Sequence, residues 1–249
     1  MISKNKISEL KKLSQKKFRE ERGLFVVEGT KSVCDLLASS LPVEELFATE
    51  AWTEAHRAEL SHVPFTVVTP AELERITVLS TPQSVLAVVR TPHFTTADLD
   101  FGDALLVLDG IRDPGNLGTI LRTADWFGFR QVLCSEDCVE WTNPKTVQAT
   151  MGSFTRVKVV YAHLPECLSQ PQVQGRIFGT FMQGDAIQNI DFQKNDILVI
   201  GNEGKGISPE VEQCVQHRIS VPLVERGTAH AESLNASIAA AIVMYEFRR

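Results

Sequence analysis

The stretch ALLVLDGIRDPGNLGTILRTADWFGF, residues 104–129, joins an apolar run to a glycine-bearing turn and then to a segment with helical spacing of apolar residues. The apolar run at 104–110 is typical of parallel strands that are covered on both faces. Gly115 and Gly118 predict a loop whose backbone a ligand can approach closely. Arg122 follows among apolar residues, where a purely structural helix gains little from a charge. The stretch therefore predicts a strand, a binding turn and a helix of an α/β fold.

The composition is that of a globular protein, with 43% apolar and 22% charged residues in a chain of 249. No run approaches the roughly eighteen consecutive apolar residues of a membrane span, and the basic N-terminal segment lacks the apolar core of a secretory signal. The cysteines are odd in number and scattered, at positions 34, 134, 138, 167 and 214. They predict free thiols in a reducing compartment, the cytoplasm. Cys134 and Cys138 lack a second Cys or His pair nearby, so no metal site is expected.

The charge is unevenly distributed along the chain. The total is −6, but residues 1–22 hold eight Lys or Arg against three Glu, a net charge of +5 that leaves −11 for the remainder. Such a basic amphipathic segment is either the solvated face of a helix or a strip that binds phosphates. The residues that would contact phosphates are Lys11, Lys12, Lys16, Lys17 and Arg19.

Strand and helix patterns alternate along the chain, which predicts two α/β units joined near residue 95. In the first unit, residues 1–95, strands are expected at 24–29, 43–49, 64–68 and 84–89, and helices at 30–39, 51–60 and 70–78. In the second unit, residues 96–249, strands are expected at 104–110, 131–134, 156–160, 176–181, 197–201 and 218–222. An Ala-rich segment at 233–247 predicts a closing helix with one broad apolar face.

Three polar turns with glycine follow apolar strands of the second unit, at the strand ends where α/β proteins usually bind ligands. They are DPGNLGT at 113–119, GNEGKGISPE at 201–210 and VPLVERGTAHAESLN at 221–235. None has the G-x-G-x-x-G order of a dinucleotide fold, and Lys205 is followed by Gly206 rather than by the Ser or Thr of a P-loop. Dehydrogenases, kinases and GTPases are therefore disfavoured.

Each turn also has a purely structural interpretation. Asn116 and Ser233 are residue types that cap helices, and Ser208 before Pro209 is an ordinary helix opening. Glu203, in a glycine-rich turn, is compatible with a simple exposed position. What favours a site is the joint arrangement, because each of the three turns carries a polar residue that its strand does not need.

Three segments strongly resemble, in order and content, the motifs of the SpoU (TrmH-like) RNA 2′-O-ribose methyltransferases of the SPOUT superfamily. They are DGIRDPGNLGTILRTADWFGF (109–129), VIGNEGKGIS (199–208) and SVPLVERGTAHAESLNASIAAAIVMYE (220–246). ATMGSFTRVKVV (149–160) resembles the segment that these enzymes carry between the first two motifs. Residues 3–36 look like the small substrate-binding domain of many members.

The resemblance implies a trefoil-knotted, parallel-sheet methyltransferase domain at 96–249, preceded by a small α/β RNA-binding domain at 1–95. It also implies bound S-adenosylmethionine and a homodimer with the active site near its interface. A knot would not have been expected from sequence patterning, since knots are very rare. The loop at 223–232, between Pro222 and Ser233, is longer than the compact loop that the family suggests.

Roles for individual residues follow from the same resemblance. The reaction requires a ribose 2′-hydroxyl of rRNA or tRNA to be held in line with the sulfonium methyl, and one proton to be managed. Arg122 is assigned to hydroxyl positioning or proton abstraction; because a guanidinium scarcely deprotonates, positioning by its fork on a neighbouring phosphate is favoured. The other catalytic candidates are Asn116, Glu203, Ser233 and Asn235, and the candidate cofactor contacts are Thr180, Gly201, Val221 and Leu234.

Two alternatives stay open at this point. An RNA-binding protein with this fold but without transfer activity is disfavoured by the joint presence of all five catalytic candidates. A knotted enzyme that methylates a base is disfavoured because the motifs match the ribose subgroup. Whether the substrate is ribosomal or transfer RNA is not decided by the sequence.

Overall fold

The computed structural model describes residues 2–223 and 232–249. Contacts divide it into unit 1, residues 1–93 with 140–155, and unit 2, residues 94–139 with 156–249. The segment 140–155, expected in the second domain, instead packs into unit 1. Aromatic packing holds the segment there. The ring centroid of Phe25 lies 5.0 Å from that of Trp141 and 5.9 Å from that of Phe154, in edge-on geometry.

Unit 1 contains a four-stranded mixed sheet with short helices around it. Its elements are α1 (Lys4–Lys12), α2 (Lys16–Arg22), β1 (Leu24–Glu28), α3 (Thr30–Leu37), β2 (Val43–Ala48), α4 (Glu50–Ala55), β3 (Phe65–Val67), α5 (Pro70–Ile76), β4 (Val85–Arg90) and α7 (Pro144–Thr150). The strand order is β1-β4-β2-β3. β4 runs antiparallel to both of its neighbours, and β2 is parallel to the edge strand β3.

The basic strip of unit 1 divides into two kinds of side chain. Arg19 is only 3% exposed; its guanidinium donates to the Leu13 carbonyl oxygen at 2.7 Å and pairs with the Glu140 carboxylate. It is therefore a structural residue, contrary to its predicted contact with phosphate. The four lysines at 11, 12, 16 and 17 are exposed on α1 and α2, so they stay candidates for that contact.

Unit 2 is a six-stranded sheet in which every pairing is parallel. Its elements are β5 (Leu105–Leu108), α6 (Pro114–Trp126), β6 (Gln131–Cys134), β7 (Lys158–Tyr161), α8 (Leu164–Leu168), β8 (Ile177–Ala186), β9 (Ile197–Ile200), α9 (Pro209–Glu212), β10 (His217–Ser220) and α10 (Ala236–Arg248). The strand order is β10-β8-β9-β5-β6-β7. Because all strands are parallel, their carboxyl ends meet at one edge of the sheet.

The predicted parallel sheet is confirmed, and each expected strand is found within a few residues of its expected position. β5 is buried along its whole length, as its apolar run predicted. β8 is longer than expected because, after a register shift, Asp185 and Ala186 pair with Ile219 and Ser220 of β10. The knot stays a prediction, since residues 224–231 lie outside the described part of the C-terminal chain.

None of the helices in the described residues is long and apolar enough to cross a membrane. No group of three or more His, Cys, Asp or Glu side chains in the same residues is placed to hold a metal ion.

Candidate active site at the carboxyl ends of the parallel strands

The first turn, after β5, is the beginning of a helix rather than a glycine loop. Asp113 caps α6 by accepting a hydrogen bond from the Asn116 backbone N–H at 2.8 Å, and Pro114 occupies the first helical position. Gly115 and Gly118 therefore lie inside α6, so the predicted open loop is wrong at these positions. Asn116 is not the cap, which leaves its side chain amide free for other contacts.

The second turn, residues 201–208, is attached to the end of β5 at two points. The Asn202 Nδ2 donates to the Gly110 carbonyl oxygen at 2.9 Å, and the buried Asp109 carboxylate accepts from the Ser208 N–H at 2.6 Å. Asn202 and Gly206 also exchange two backbone hydrogen bonds, at 3.0 and 2.8 Å. These contacts hold the second turn against the first.

Gly201 is required by the closure of this second turn. A Cβ at Gly201 would stand 2.3 Å from both the Gly206 carbonyl carbon and the Ile207 nitrogen, closer than any real Cβ contact. The sequence predicts a cofactor contact at Gly201 because a cofactor can approach a backbone without a Cβ closely. The turn itself supplies a sufficient reason, so the cofactor contact at Gly201 stays a prediction.

The third turn ends at Asn235, which caps α10. Its Oδ1 accepts from the Ser237 N–H at 3.0 Å, the Ser237 hydroxyl at 2.6 Å and the Ile238 N–H at 3.3 Å. Ser233 is therefore not the cap; its hydroxyl lies 3.5 Å from the Glu203 carbonyl oxygen, at the limit of a hydrogen bond. The predicted loop at 223–232 lies almost entirely outside the described residues.

Side chains from all three turns meet in one cluster. The Asn116 Nδ2 donates to the Oε1 of Glu203, and the Asn235 Nδ2 donates to the Oδ1 of Asn116 at 3.0 Å. The Asn202 Nδ2 lies 3.4 Å from the other carboxylate oxygen, Oε2. We refer to Asn116, Asn202, Glu203 and Asn235 as the amide–carboxylate cluster. Three of the five predicted catalytic residues belong to this cluster. A fourth, Ser233, lies beside it through its contact with the Glu203 carbonyl oxygen.

Arg122 stands apart from this cluster. It is exposed, and no described residue makes a hydrogen bond or ion pair with it. It follows Asn116 by six residues, which on an α-helix is about 9 Å along the axis and about 120° around it. Among the described residues, Arg122 is thus the one predicted catalytic residue without a contact to the other four.

Sequence reasoning missed Asn202. The available signal was an Asn at the start of a glycine-rich turn, since Asn side chains bond the backbone of such turns. The Asn202 Oδ1 accepts from the Gly204 and Lys205 N–H groups at 3.0 and 3.1 Å. What the sequence did not indicate is that the same amide also reaches Gly110 and Glu203.

Three of the four predicted cofactor contacts lie in or just after neighbouring strands. Thr180 lies within β8, Gly201 follows β9 and Val221 follows β10, and these strands are adjacent in the order β10-β8-β9. The Thr180 hydroxyl donates to the Val199 carbonyl oxygen at 3.1 Å. Leu234, just before α10, is 45% exposed. Topology thus brings Thr180, Gly201 and Val221 to one region of the sheet.

Two buried cysteines, Cys134 and Cys138, lie next to the end of β5, just before the first turn. The hydrogen bond with the Cys134 thiol lowers the pKa of Cys138 to about 7, and hydrogen bonds with the Ser135 hydroxyl and the Ile111 N–H, the latter at 3.1 Å, lower it further. The same bond, with burial, raises the pKa of Cys134. The Ser135 hydroxyl accepts from the Gly110 N–H at 2.9 Å. These contacts fix Gly110, the residue whose carbonyl accepts from Asn202.

Comparison with known proteins assigns this architecture. Residues 103–245 match the model of the SpoU rRNA Methylase family, and residues 4–87 match the MRM3-like substrate binding domain. The chain is 32% identical to the 23S rRNA (guanosine(2553)-2′-O)-methyltransferase RlmP of Bacillus subtilis over 98% of this chain and 96% of that protein.

Two solved structures are similar over the whole chain. One, from Porphyromonas gingivalis and described as an RNA methyltransferase of the TrmH family, has a TM-score of 0.88 and 34% identity, covering 100% of this chain and 98% of that one. An AdoMet-bound rRNA methyltransferase from Sinorhizobium meliloti has a TM-score of 0.87 and 27% identity, covering 100% and 95%. The fold is that of an RNA methyltransferase. The chain belongs to the SpoU rRNA methylase family.

Proposed function

We propose that this protein transfers a methyl group from S-adenosylmethionine to a ribose 2′-hydroxyl of ribosomal RNA. The observation that carries the proposal is the amide–carboxylate cluster, built from three turns at the carboxyl ends of parallel strands. Ribosomal rather than transfer RNA is favoured by the relative from Bacillus subtilis, which acts on 23S rRNA and matches nearly the whole chain.

The residues present fit the cofactor. Gly201 and Val221 follow two parallel strands, the usual position for a ligand in such sheets, and Thr180 lies within the strand between them. Leu234 and Leu223 expose apolar surface, 45% and 48%, that an adenine can cover. When bound, the cofactor supplies an activated methyl on its sulfonium. The protein's own part is to hold the hydroxyl oxygen in line with that methyl and to let the hydroxyl proton leave to solvent as the methyl is transferred.

Arg122 is proposed as the residue that contacts the substrate. Its free, exposed guanidinium offers a planar fork that suits the phosphate next to the target ribose. Since a guanidinium keeps its protons in proteins, its role is to position the nucleotide and to provide positive charge. Within the described part of the chain, no ion pair joins this guanidinium to the Glu203 carboxylate.

A homodimer would bring Arg122 of one protomer to the cluster of its partner. α6 and α10 pack against each other and expose large apolar side chains: Trp126 by 85%, Tyr245 by 53% and Ile238 by 51%. Such exposed apolar side chains on adjacent helices are typical of an interaction surface. Arg122 lies on the exposed part of α6, one turn from Trp126.

Unit 1 is proposed to bind RNA through its exposed lysines. Lys11, Lys12, Lys16 and Lys17 lie on the two N-terminal helices, and Lys16 is partly engaged with Glu20 at 3.6 Å. A strip of exposed positive charge suits a phosphate backbone and carries no sequence information.

We further propose a cytoplasmic location, supported by the five cysteines, which all lie in the described part and are all free thiols.

The experiment that tests the function maps 2′-O-methylation in total RNA from cells with and without the protein. Loss of one ribosomal ribose methylation, restored by purified protein with S-adenosylmethionine, is the expected result. Methylation found on a base, or on transfer RNA alone, contradicts the proposal. Saturable binding of RNA without transfer to any nucleotide identifies the alternative, an RNA-binding protein that retains the fold.

A further inference from the structure

Asn202 is the residue that joins the first two turns of the site. Its Oδ1 closes the second turn by accepting from the Gly204 and Lys205 N–H groups, at 3.0 and 3.1 Å. Its Nδ2 donates to the Gly110 carbonyl oxygen at 2.9 Å and approaches the Glu203 Oε2 at 3.4 Å. The acceptor side of this amide thus closes the second turn, and its donor side contacts Gly110 and Glu203.

The carboxylate of Glu203 is held between two amides. Asn116 donates to Oε1 and Asn202 approaches Oε2. The terminal torsion of a glutamate is otherwise broad, so donors on both oxygens are what fixes the plane of the carboxylate. Asn116 in turn accepts from Asn235 at 3.0 Å. The orientation of Glu203 therefore sets the positions of both asparagines.

We propose that Asn202 is a positioning residue for methyl transfer, which acts by holding the Glu203 carboxylate in the orientation that fixes Asn116 and Asn235. This role rests on the proposed function. An amide carries two N–H donors and a separate carbonyl acceptor on one planar group. An aspartate at the same place keeps the two acceptor bonds that close the turn, loses both donor bonds and faces Glu203 with a like charge.

Asn202→Asp therefore separates turn closure from carboxylate positioning. We expect the variant to fold and to bind S-adenosylmethionine with an affinity close to wild type, with a melting temperature lowered by the lost bond to Gly110, kcat lower by about thirtyfold and KM changed by less than about threefold. The matched control is Asn189→Asp, the same substitution at an exposed residue that ends the 3₁₀ helix Ile187–Asn189. It should leave kcat unchanged.

A double-mutant cycle tests whether Asn202 acts through Glu203. In a Glu203→Gln background, Asn202→Asp should cost less than about threefold in kcat, because the carboxylate it positions is gone. Additive losses, or an unchanged kcat in Asn202→Asp alone, overturn the proposal. If Asn202→Asp fails to fold, Asn202→Ser replaces it: a serine oxygen also closes such turns but is too short to reach Glu203, so the same loss of kcat is expected.

A spectroscopic measurement distinguishes this proposal from the proposed function. The side-chain amide resonance of Asn116, read by NMR without RNA or cofactor, should move in Asn202→Asp and stay in Asn189→Asp. An unmoved resonance in a wild type that methylates ribose refutes the role of Asn202 alone. A wild type that methylates no RNA refutes the proposed function, and the role of Asn202 in transfer with it.

Discussion

Asn116 and Arg122 lie on the same helix, six residues apart, yet their surroundings differ. Asn116 is bound on both sides, donating to Glu203 and accepting from Asn235. Arg122 is exposed, and nothing in the described part of the chain pairs with it. A side chain bound on both sides is already positioned before substrate arrives, whereas a free cation is available to a ligand or a second protomer. The difference supports the proposal that Asn116 helps to organise the site and that Arg122 contacts the RNA.

The largest effect is expected at Arg122. Arg122→Ala should fold and bind S-adenosylmethionine normally while methyl transfer falls by about a hundredfold or more, because it removes an interaction made in the transition state. Arg122→Lys keeps the charge but not the fork, so a substantial loss is expected here too. Kinetics with melting curves as the control check both variants. Near-full activity of Arg122→Lys would show that charge alone suffices.

Mixing two inactive variants tests whether Arg122 serves the partner's site. When Arg122→Ala and Asn116→Ala subunits exchange freely, half of the dimers are mixed and each mixed dimer has one intact site if Arg122 acts across the interface. About a quarter of wild-type activity should return. No recovery, with subunit exchange verified by native mass spectrometry, would place Arg122 and Asn116 in the same subunit's site.

Trp126→Glu tests the exposed face of α6 on which Arg122 lies. A charge at this 85% exposed position costs the monomer little but is costly to bury in an interface. We expect sedimentation to show monomers and activity to drop by about tenfold. Met182→Glu, at a position of β8 that is 63% exposed, is a control for surface charge. A dimer unaffected by Trp126→Glu would remove α6 from the interface.

The second turn offers a smaller effect, on stability. Gly201→Ala places a Cβ 2.3 Å from backbone atoms of Gly206 and Ile207, which cannot move aside like a flexible side chain. We expect a loss of about 2 kcal/mol in the free energy of unfolding, measured by denaturant titration. The control is Gly204→Ala, whose Cβ would meet only the Asn202 Oδ1 at 3.6 Å. Equal stabilities for the two variants would contradict the close approach at Gly201.

The smallest effects belong to the N-terminal lysines. Replacing Lys11 and Lys17 with Ala should weaken RNA binding and reduce the slope of log affinity against log salt by about 0.7–0.9 for each phosphate that the protein no longer neutralises. Arg19→Ala should instead lower the stability of unit 1, because it leaves the Glu140 carboxylate without its partner. An unchanged salt slope in the lysine variants would make this strip an ordinary solvated face.

The sequence by itself determined the strands and the parallel sheet of unit 2, because apolar runs and helical periodicity are local properties that burial must satisfy. It did not indicate that residues 140–155 pack in unit 1. It also indicated the family, through three ordered motifs. It misplaced Asn116 and Ser233 as possible caps, because a cap is chosen by where the helix actually begins: Asp113 and Asn235 take that role.

Only the tertiary structure decided what the motif residues contact. Residues 116, 203 and 235 are far apart in the chain. They meet because strands end, and helices α6 and α10 begin, at one edge of the sheet. Asn202 reaches Gly110 and Glu203 in the same way. The isolation of Arg122 and the burial of Arg19 were equally hidden, since a charged residue's partner depends on which distant side chain the fold brings to it.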